Sequence, residues 1–227
     1  KYADHPRARQ LYKLALRRKP ARWRGPKSPY RWAIMGISGG SVKAMPEPPR
    51  KRLSSSQRRQ AAQLKRRIRW HLRKGWTKAV KQTLQSTEAR RLFSTVDMDW
   101  ARARLGGGYF AAGRDEWAIK WAGPAAKRSG RYLPQAHWTV AMASWRMHRY
   151  SDAAKHFEAV AKRDNSPWVI SAAAFWAARA HLVNRHPERI TPLLEIAAGY
   201  GRTFYGMLAR RMLGLVNDFR WETPDLK

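Results

Sequence analysis

The 227-residue sequence contains no cysteine. This absence excludes disulfide bonds, thiolate nucleophiles and cysteine-ligated zinc. No apolar run approaches the ~18 residues that a membrane-spanning helix needs, so we expect no membrane span. No segment alternates apolar and polar residues with the period of two that is typical of a half-buried strand. Regular structure is therefore predicted to be all-α.

Acidic residues are scarce, with 15 Asp and Glu against 47 Lys and Arg, and the formal net charge is +32. Residues 1–94 hold 27 of the Lys and Arg against three acids, whereas residues 95–227 hold 20 against 12. Such a basic segment attracts polyanions, including nucleic acid, anionic lipid or an acidic cell-wall polymer. A solvated arginine-rich surface without a specific partner is the alternative, and composition alone does not separate the two.

Residues 1–53 predict a basic N-terminal helix followed by a linker. Within residues 4–19, Leu11, Leu14 and Ala15 follow helical spacing. Residues 20–53 contain six prolines and four glycines, a density that breaks any regular element. The chain begins at Lys1 without an apolar signal segment, so we expect a removed targeting peptide or a piece of a longer protein.

Residues 54–227 predict an α-superhelical repeat domain. Its first helix has Ser54 as an N-cap, Ala61, Leu64 and Ile68 on one face, and Gly75 as its stop. Further helices are predicted near residues 77–85, 97–112, 115–129, 134–148, 151–163, 167–183, 187–199 and 202–213.

The predicted helices repeat along the chain. Residues 113–128 align with residues 148–163 at an offset of 35, which matches Ala118 with Ala153 and Ala126 with Ala161. Residues 186–200 continue the pattern. A period in the mid-thirties with two helices per unit is typical of an α-solenoid such as the tetratricopeptide array. We therefore predict stacked helical hairpins.

The first of these helices, near residues 57–74, is strongly basic. It is either a strip that binds a polyanion or the solvated face of an amphipathic helix, and Trp70 and Trp76 lie close by in sequence. Its candidate polyanion-binding residues are Arg58, Arg59, Lys65, Arg66, Arg67, Arg69 and Arg73.

Metal and catalytic patterns are weak. His148 and His156 are two helical turns apart, too far to share one ion, so we expect neither metal nor cofactor. Asp115 and Glu116 are interpreted as helix N-terminal charges rather than as a catalytic carboxylate pair. Most tryptophans are expected to pack between helices, while an exposed minority could stack on sugar rings or bases. Those on predicted helices are Trp117, Trp121, Trp138, Trp145, Trp168 and Trp176.

Four phrases carry a family resemblance. They are YFAAGRDEWAIKWAGPAAKRSGRYLPQAHW (109–138), ASWRMHRYSDAAKHFEAVA (143–161), SPWVISAAAFWAARAHL (166–182) and RTFYGMLARRMLGL (202–215). In this order they resemble the superhelical N-terminal region of soluble lytic murein transglycosylases of the alphaproteobacterial type. The most specific parts are the FWAARA motif and the TFYG motif that follows it. Their signature residues are Phe175, Trp176, Arg179, Phe204, Tyr205 and Gly206.

The resemblance implies a periplasmic protein that acts on peptidoglycan. Family members cleave the β-1,4 bond between N-acetylmuramic acid and N-acetylglucosamine and leave a 1,6-anhydro end. A separate lysozyme-like domain does this with a glutamate that is usually followed by serine. No glutamate of this chain precedes a serine, so we expect no catalytic residue in it. It is either a truncated member or a non-catalytic relative.

Within the repeat, Phe175 and Trp176 are expected to be large side chains inserted between helix layers. Arg179 is expected to pair with a helix end or with an acid of the adjoining unit. A second function is also open, in which the chain is a basic helical-repeat scaffold that binds RNA or a protein partner.

Overall fold

The computed structural model describes residues 8–20, 22–26 and 45–215. Residues 4–7 of the first predicted helix, residues 21 and 27–44 of the predicted linker, and residues 216–227 of the predicted repeat domain lie outside the described residues. Within the described ranges all regular structure is helical, as the sequence predicts. The helices are α1 (Ala8–Arg18), α2 (Ser55–Arg73), α3 (Thr77–Gln85), α4 (Thr87–Leu92), α5 (Thr95–Ala111), α6 (Asp115–Ser129), α7 (Pro134–Arg146), α8 (Tyr150–Arg163), α9 (Pro167–Val183), α10 (Ile190–Ala198) and α11 (Phe204–Met212), with a 3₁₀ turn at Pro187–Arg189.

Helix starts follow the capping residues closely. Ser54 accepts a hydrogen bond from the Gln57 N–H, while the Gln57 side chain accepts one from the Ser54 N–H, which is a complete capping box at the start of α2. Ser94 and Asp97 form the same box at the start of α5. Helix α4 is missing from the sequence prediction because six residues are too few to show a period, although Ser86 caps it by accepting from the Ala89 N–H.

Five helix ends use one backbone device. A residue with positive φ donates its backbone N–H to the carbonyl oxygen three residues earlier, as Gly113 does to Phe110. The next residue donates its N–H to the carbonyl oxygen five residues earlier, as Arg114 does to Tyr109. This is the Schellman arrangement, which satisfies carbonyl groups that a helix end leaves open. The positive-φ residues are Gly75, Gly113, His148, Arg185 and Gly214. The first four are separated by 38, 35 and 37 residues.

The helices pack mainly on their neighbours in sequence. From α5 to α11 each helix packs on the next, and α5 also reaches α7 while α9 also reaches α11. Three buried clusters follow one another along the chain, the first among α2 to α5, the second among α5 to α7 and the third among α7 to α11. The apolar core is thus built up pairwise along the sequence.

Small residues let these helices approach closely. The three glycines 106–108 predict either a kink or close helix packing, and the second occurs, since α5 continues through them. A Cβ on Gly106 would lie 2.8 Å from the Ala122 Cβ and 2.9 Å from the Ala118 carbonyl oxygen of α6. Any larger side chain at this position would push α6 away.

One buried ionic cluster joins α5 to α6. Asp99 has no exposed surface and accepts hydrogen bonds from Arg102 (2.9 Å), the Arg128 Nε (2.8 Å) and the Ser129 hydroxyl (2.6 Å). Burial alone would raise the pKa of Asp99, but the hydrogen bonds from Arg128, Ser129 and Arg102 lower it below its ordinary value. The carboxylate therefore stays charged inside the fold, where it is fully hydrogen-bonded.

The positive-φ turn at Arg185 gives a test of the fold. Arg185 has a φ of 58°, a conformation that costs a non-glycine residue about 1 kcal/mol. We expect Arg185→Gly to raise the free energy of unfolding by about 0.5–1 kcal/mol and Gly113→Ala to lower it by about 1 kcal/mol. Urea denaturation of both variants beside the parent checks this. Opposite signs would show that these turns are not built as described.

Candidate polyanion-binding surface

Helix α2 separates an apolar face from a cationic face. Ala61, Leu64 and Ile68 are buried against the rest of the first core cluster. The basic side chains fall on the other side because they occupy the remaining positions of the helical turn. The helix contains no acidic residue, so its own sequence leaves this charge unneutralised.

Two of the seven predicted cations take part in the fold. Lys65 is half-buried and forms an ion pair with Asp97. Burial alone would raise the pKa of Asp97, but hydrogen bonds from Lys65 and Ser94 lower it. Arg67 donates to Glu88 of α4 at 3.0 Å. These two residues therefore hold α2 to its neighbours more than they extend a binding surface.

The other five cations form the exposed strip. None has an acidic partner among the residues that the structure describes, and all are exposed to solvent. We call these five the α2 strip: Arg58, Arg59, Arg66, Arg69 and Arg73.

Two tryptophans lie beside the α2 strip. The Trp70 and Trp76 rings meet edge to face with centroids 4.9 Å apart, and the side chains are 41% and 51% exposed. Trp70 lines an open depression together with Arg66, Arg69 and Arg73, and with Arg67, which is paired with Glu88. Exposed aromatic rings among unpaired arginines can both stack on a flat or ring-shaped group and neutralise an anion.

A third indole extends this surface onto α5. Half-buried Trp100 has the Lys65 ammonium, the Arg69 guanidinium and the Arg104 guanidinium each 5.7 Å from its ring centroid. Arg104, for which the sequence predicts no binding role, therefore lies beside the α2 strip. Its position depends on the packing of α5 against α2, which spacing along the chain does not reveal.

A separate cation–aromatic cluster lies on α3, α5 and α6. The Lys81 ammonium lies 5.3 Å from the Tyr109 ring centroid and 4.8 Å from that of Trp117, which also has the Lys120 ammonium at 4.7 Å. Burial alone would raise the pKa of Tyr109, but hydrogen bonds with Lys81 and Thr77 lower it. This cluster joins three helices through their side chains.

The FWAARA and TFYG motifs touch each other. Thr203 caps α11 by accepting the Gly206 N–H at 3.0 Å, and its hydroxyl donates to the Ser171 hydroxyl of α9 at 2.7 Å. A Cβ on Gly206 would overlap the Tyr200 carbonyl group and lie 2.8 Å from the Thr203 hydroxyl oxygen. Only glycine lets α11 begin this close to the preceding turn.

Three of the four aromatic residues of the two motifs face the interior. Phe175 is buried and its ring centroid lies 5.3 Å from that of Tyr205. Trp176 is half-buried, edge to face with Trp145 at 5.1 Å and stacked over Phe157 at 6.1 Å. Both side chains therefore lie between helices, as predicted. Phe204, by contrast, is 55% exposed.

Arg179 has a different partner from the one that the sequence predicts. Its guanidinium lies 4.6 Å from the Trp176 ring centroid and 5.4 Å from that of Trp145, and no acid contacts it among the described residues. The three residues belong to α7 and α9. Arg179 thus covers an aromatic pair rather than a helix end, a contact that depends on how the two helices pack.

The remaining predicted tryptophans divide between interior and surface. Trp121 and Trp138 are half-buried, whereas Trp117 and Trp168 are exposed. No group of three or more His, Asp or Glu side chains that could hold a metal ion occurs in the described part of the chain.

Two half-buried histidines form a hydrogen bond that spacing does not reveal. The Nδ1 atoms of His137 on α7 and His156 on α8 are 2.9 Å apart. Burial, the neighbouring His156 and the charge of Arg163 lower the pKa of His137 to about 4. Burial is also the main reason that the pKa of His156 is lowered, with Asp152 opposing and Lys155 adding to the effect. Both imidazoles are neutral in the folded protein near neutral pH.

No described helix is both long and apolar enough to cross a membrane. The described fold and surface define an all-helical protein with an arginine-rich, tryptophan-bearing face. No protein-family model matches the chain, and neither curated proteins nor solved structures show significant similarity to it.

The contact between the two motifs predicts a large effect at one glycine. We expect Gly206→Ala to lower the free energy of unfolding by about 2–3 kcal/mol, because the added methyl group overlaps backbone. Gly123→Ala is the matched control, since its Cβ would have only an ordinary contact, 4.0 Å from Ile119. We expect the control to be neutral or slightly stabilising. Chemical denaturation measures both, and equal effects would contradict the described packing of α11.

The histidine pair predicts a loss of stability in acid. The pKa of His137 is about 4 in the folded protein and 6.5 in the unfolded chain. The folded protein therefore binds this proton more weakly than the unfolded chain does. The contribution of His137 is present above pH 6.5 and is lost as pH falls towards 4. Over this pH range we expect the free energy of unfolding of the parent to fall by about 2–3 kcal/mol more than that of His137→Gln. Exposed His186→Gln serves as the control and should follow the parent. If the free energy of unfolding changes with pH in the same way for all three proteins, the lowered pKa of His137 is refuted.

Proposed function

We propose that this chain is the superhelical, non-catalytic region of a periplasmic lytic transglycosylase and that it holds peptidoglycan for a catalytic domain. The observation that carries the proposal is the contact between the FWAARA and TFYG motifs. Phe175 of the first motif lies against Tyr205 of the second, and Ser171, four residues before the first motif, is hydrogen-bonded to Thr203. Two motifs that are separate in sequence therefore pack together, which supports treating them as one signature.

The helical hairpins support an α-solenoid as the architecture of this region. Schellman turns recur at intervals of 35 to 38 residues, and each helix from α5 onward packs on its neighbours in sequence. Repeat proteins of the tetratricopeptide type are built from such local contacts, and their curvature gives extended binding surfaces. A surface of this kind suits a long polymer better than a small molecule.

Peptidoglycan has the chemistry that the α2 strip and its tryptophans can bind. Its peptides carry carboxylates, which arginine binds through paired hydrogen bonds. Its sugar rings have apolar faces that can stack on exposed indoles such as Trp70 and Trp76. Both kinds of group occur along every glycan strand, so several weak contacts would add up.

The buried carboxylates fit a structural role rather than glycoside cleavage. A general acid in this chemistry needs a raised pKa. Burial would raise the pKa of Glu158, but hydrogen bonds from His181 and Arg189, both at 2.8 Å, lower it below its ordinary value. Asp99 is held ionised in the same way by Arg128. Neither group is prepared to donate a proton.

A basic helical scaffold for RNA is the second candidate. The exposed edge-to-face pair of Trp70 and Trp76 favours it, because bases stack on such rings while neighbouring arginines bind phosphates. Its binding would weaken steeply as salt is raised. The same surface therefore serves both candidates, and the ligand must be identified by experiment.

Retention on purified sacculi tests the first candidate. The strip variant replaces Arg58, Arg59, Arg66, Arg69 and Arg73 with Gln. At near-physiological salt we expect this variant to bind at least about tenfold more weakly, because all five arginine contacts with anionic groups of the polymer are lost together. The control removes the same charge elsewhere by replacing Arg114, Lys127, Arg149, Arg185 and Arg211, which are also exposed. It should bind like the parent.

The competing outcomes are distinct. Equal losses in both variants would show unspecific charge attraction, and tight RNA binding without retention on sacculi would favour the scaffold. We also expect the purified chain to release no anhydro-muropeptides. Their release would contradict the non-catalytic assignment.

A further inference from the structure

Helix α1 stands apart from the packed helices. No described element makes more than a marginal contact with it. Its three leucines, Leu11, Leu14 and Leu16, are 40%, 45% and 43% exposed. An isolated helix of eleven residues is only marginally stable in water. Its apolar side chains thus lack a partner in the described part of the chain.

The turn after α1 adds an exposed tryptophan to this segment. The Trp23 N–H donates to the Pro20 carbonyl at 3.0 Å, and the Lys19 ammonium donates to the Trp23 carbonyl. A Cβ on Gly25 would lie 4.0 Å from a methyl carbon of Leu16, so the turn runs back beside the helix. Trp23 is 70% exposed, the highest value among the large apolar side chains described.

All charged side chains described around these apolar residues are positive. Residues 8–20 and 22–26 contain no acid. On the helical wheel Lys13 and Arg17 lie about 160° and 120° from Leu11, whereas Arg18 lies about 20° from it at the C-terminal end of the helix. The basic side chains described for this segment are Lys13, Arg17, Arg18, Lys19, Arg22 and Arg24.

We propose that α1 and the turn through Arg24 bind the surface of an anionic lipid bilayer. Leu11 and Leu14 lie on one face of α1, Trp23 is exposed in the following turn, and every charge around them is positive, which is the composition of helices that lie in the headgroup region. A dissolved polyanion would attract the charges but would leave the leucines and Trp23 in water. The helix would lie in the plane of the membrane and not cross it.

This inference is independent of the α2 strip and of the family assignment. The α2 strip combines arginines with two indoles that pack edge to face, whereas α1 presents aliphatic side chains that no polymer of sugars or nucleotides would bury. Loss of one activity should therefore leave the other in place.

Vesicle co-sedimentation of the full chain tests the inference. The probes are vesicles of phosphatidylglycerol and phosphatidylcholine in equal parts and vesicles of phosphatidylcholine alone. The test variant is Leu11→Ser/Leu14→Ser/Trp23→Ser, which leaves the net charge unchanged. The control variant, Arg66→Gln/Arg69→Gln/Arg73→Gln, removes charge from α2 and keeps the apolar surface of α1.

We expect the parent to bind the anionic vesicles and not the neutral ones. The serine variant should bind at least fivefold more weakly than the parent and the α2 control, with an unchanged melting temperature because α1 packs on no other described helix. A smaller loss would mean that charge alone causes adsorption, and it would overturn the proposal. So would a parent that does not bind, including one whose leucines are covered by a second copy of the chain.

Discussion

Close packing between helices that meet at small side chains is the constraint on which the fold depends. Gly106 of α5 faces Ala118 and Ala122 of α6 at a distance that admits no further carbon atom. Gly206 meets the Tyr200 carbonyl group in the same way where α11 begins. Since each helix from α5 to α11 buries its apolar face mainly on its sequence neighbours, a misplaced helix in this part would expose the core on both sides. Small residues at the crossings therefore fix the path of the chain.

The same constraint divides structural residues from residues that are able to bind. Phe175 and Trp176 fill the space that the surrounding alanines leave between helices, and Arg179 covers Trp176 and Trp145 from outside. The motif that suggests the family is thus an interior feature. The proposed binding surface lies elsewhere, on α2, where the five arginines of the α2 strip have no acidic partner among the described residues.

The sequence predicts helices well where apolar periodicity is bounded by turn residues, even where no side chain caps the helix start. Helices α3, α6 and α9 begin and end at the predicted residues, and Ser54 caps α2 as expected. Contacts between helices were beyond sequence reasoning, because they depend on rotation and crossing angle. The bond between His137 and His156, the burial of Asp99 and the meeting of Arg69 with Arg104 at Trp100 all belong to this group. For the α2 strip, spacing identified the cations but could not show that Lys65 and Arg67 are engaged by acids.

We propose that the exposed face of α2 binds peptidoglycan. The most direct measurement follows the indole N–H signals of Trp70 and Trp76 by NMR while soluble peptidoglycan fragments are added. We expect these two signals to shift in proportion to occupancy. The signal of Trp168, which is similarly exposed but lies on α9, should stay in place. Unchanged Trp70 and Trp76 signals, or shifts that appear only with RNA, would contradict it.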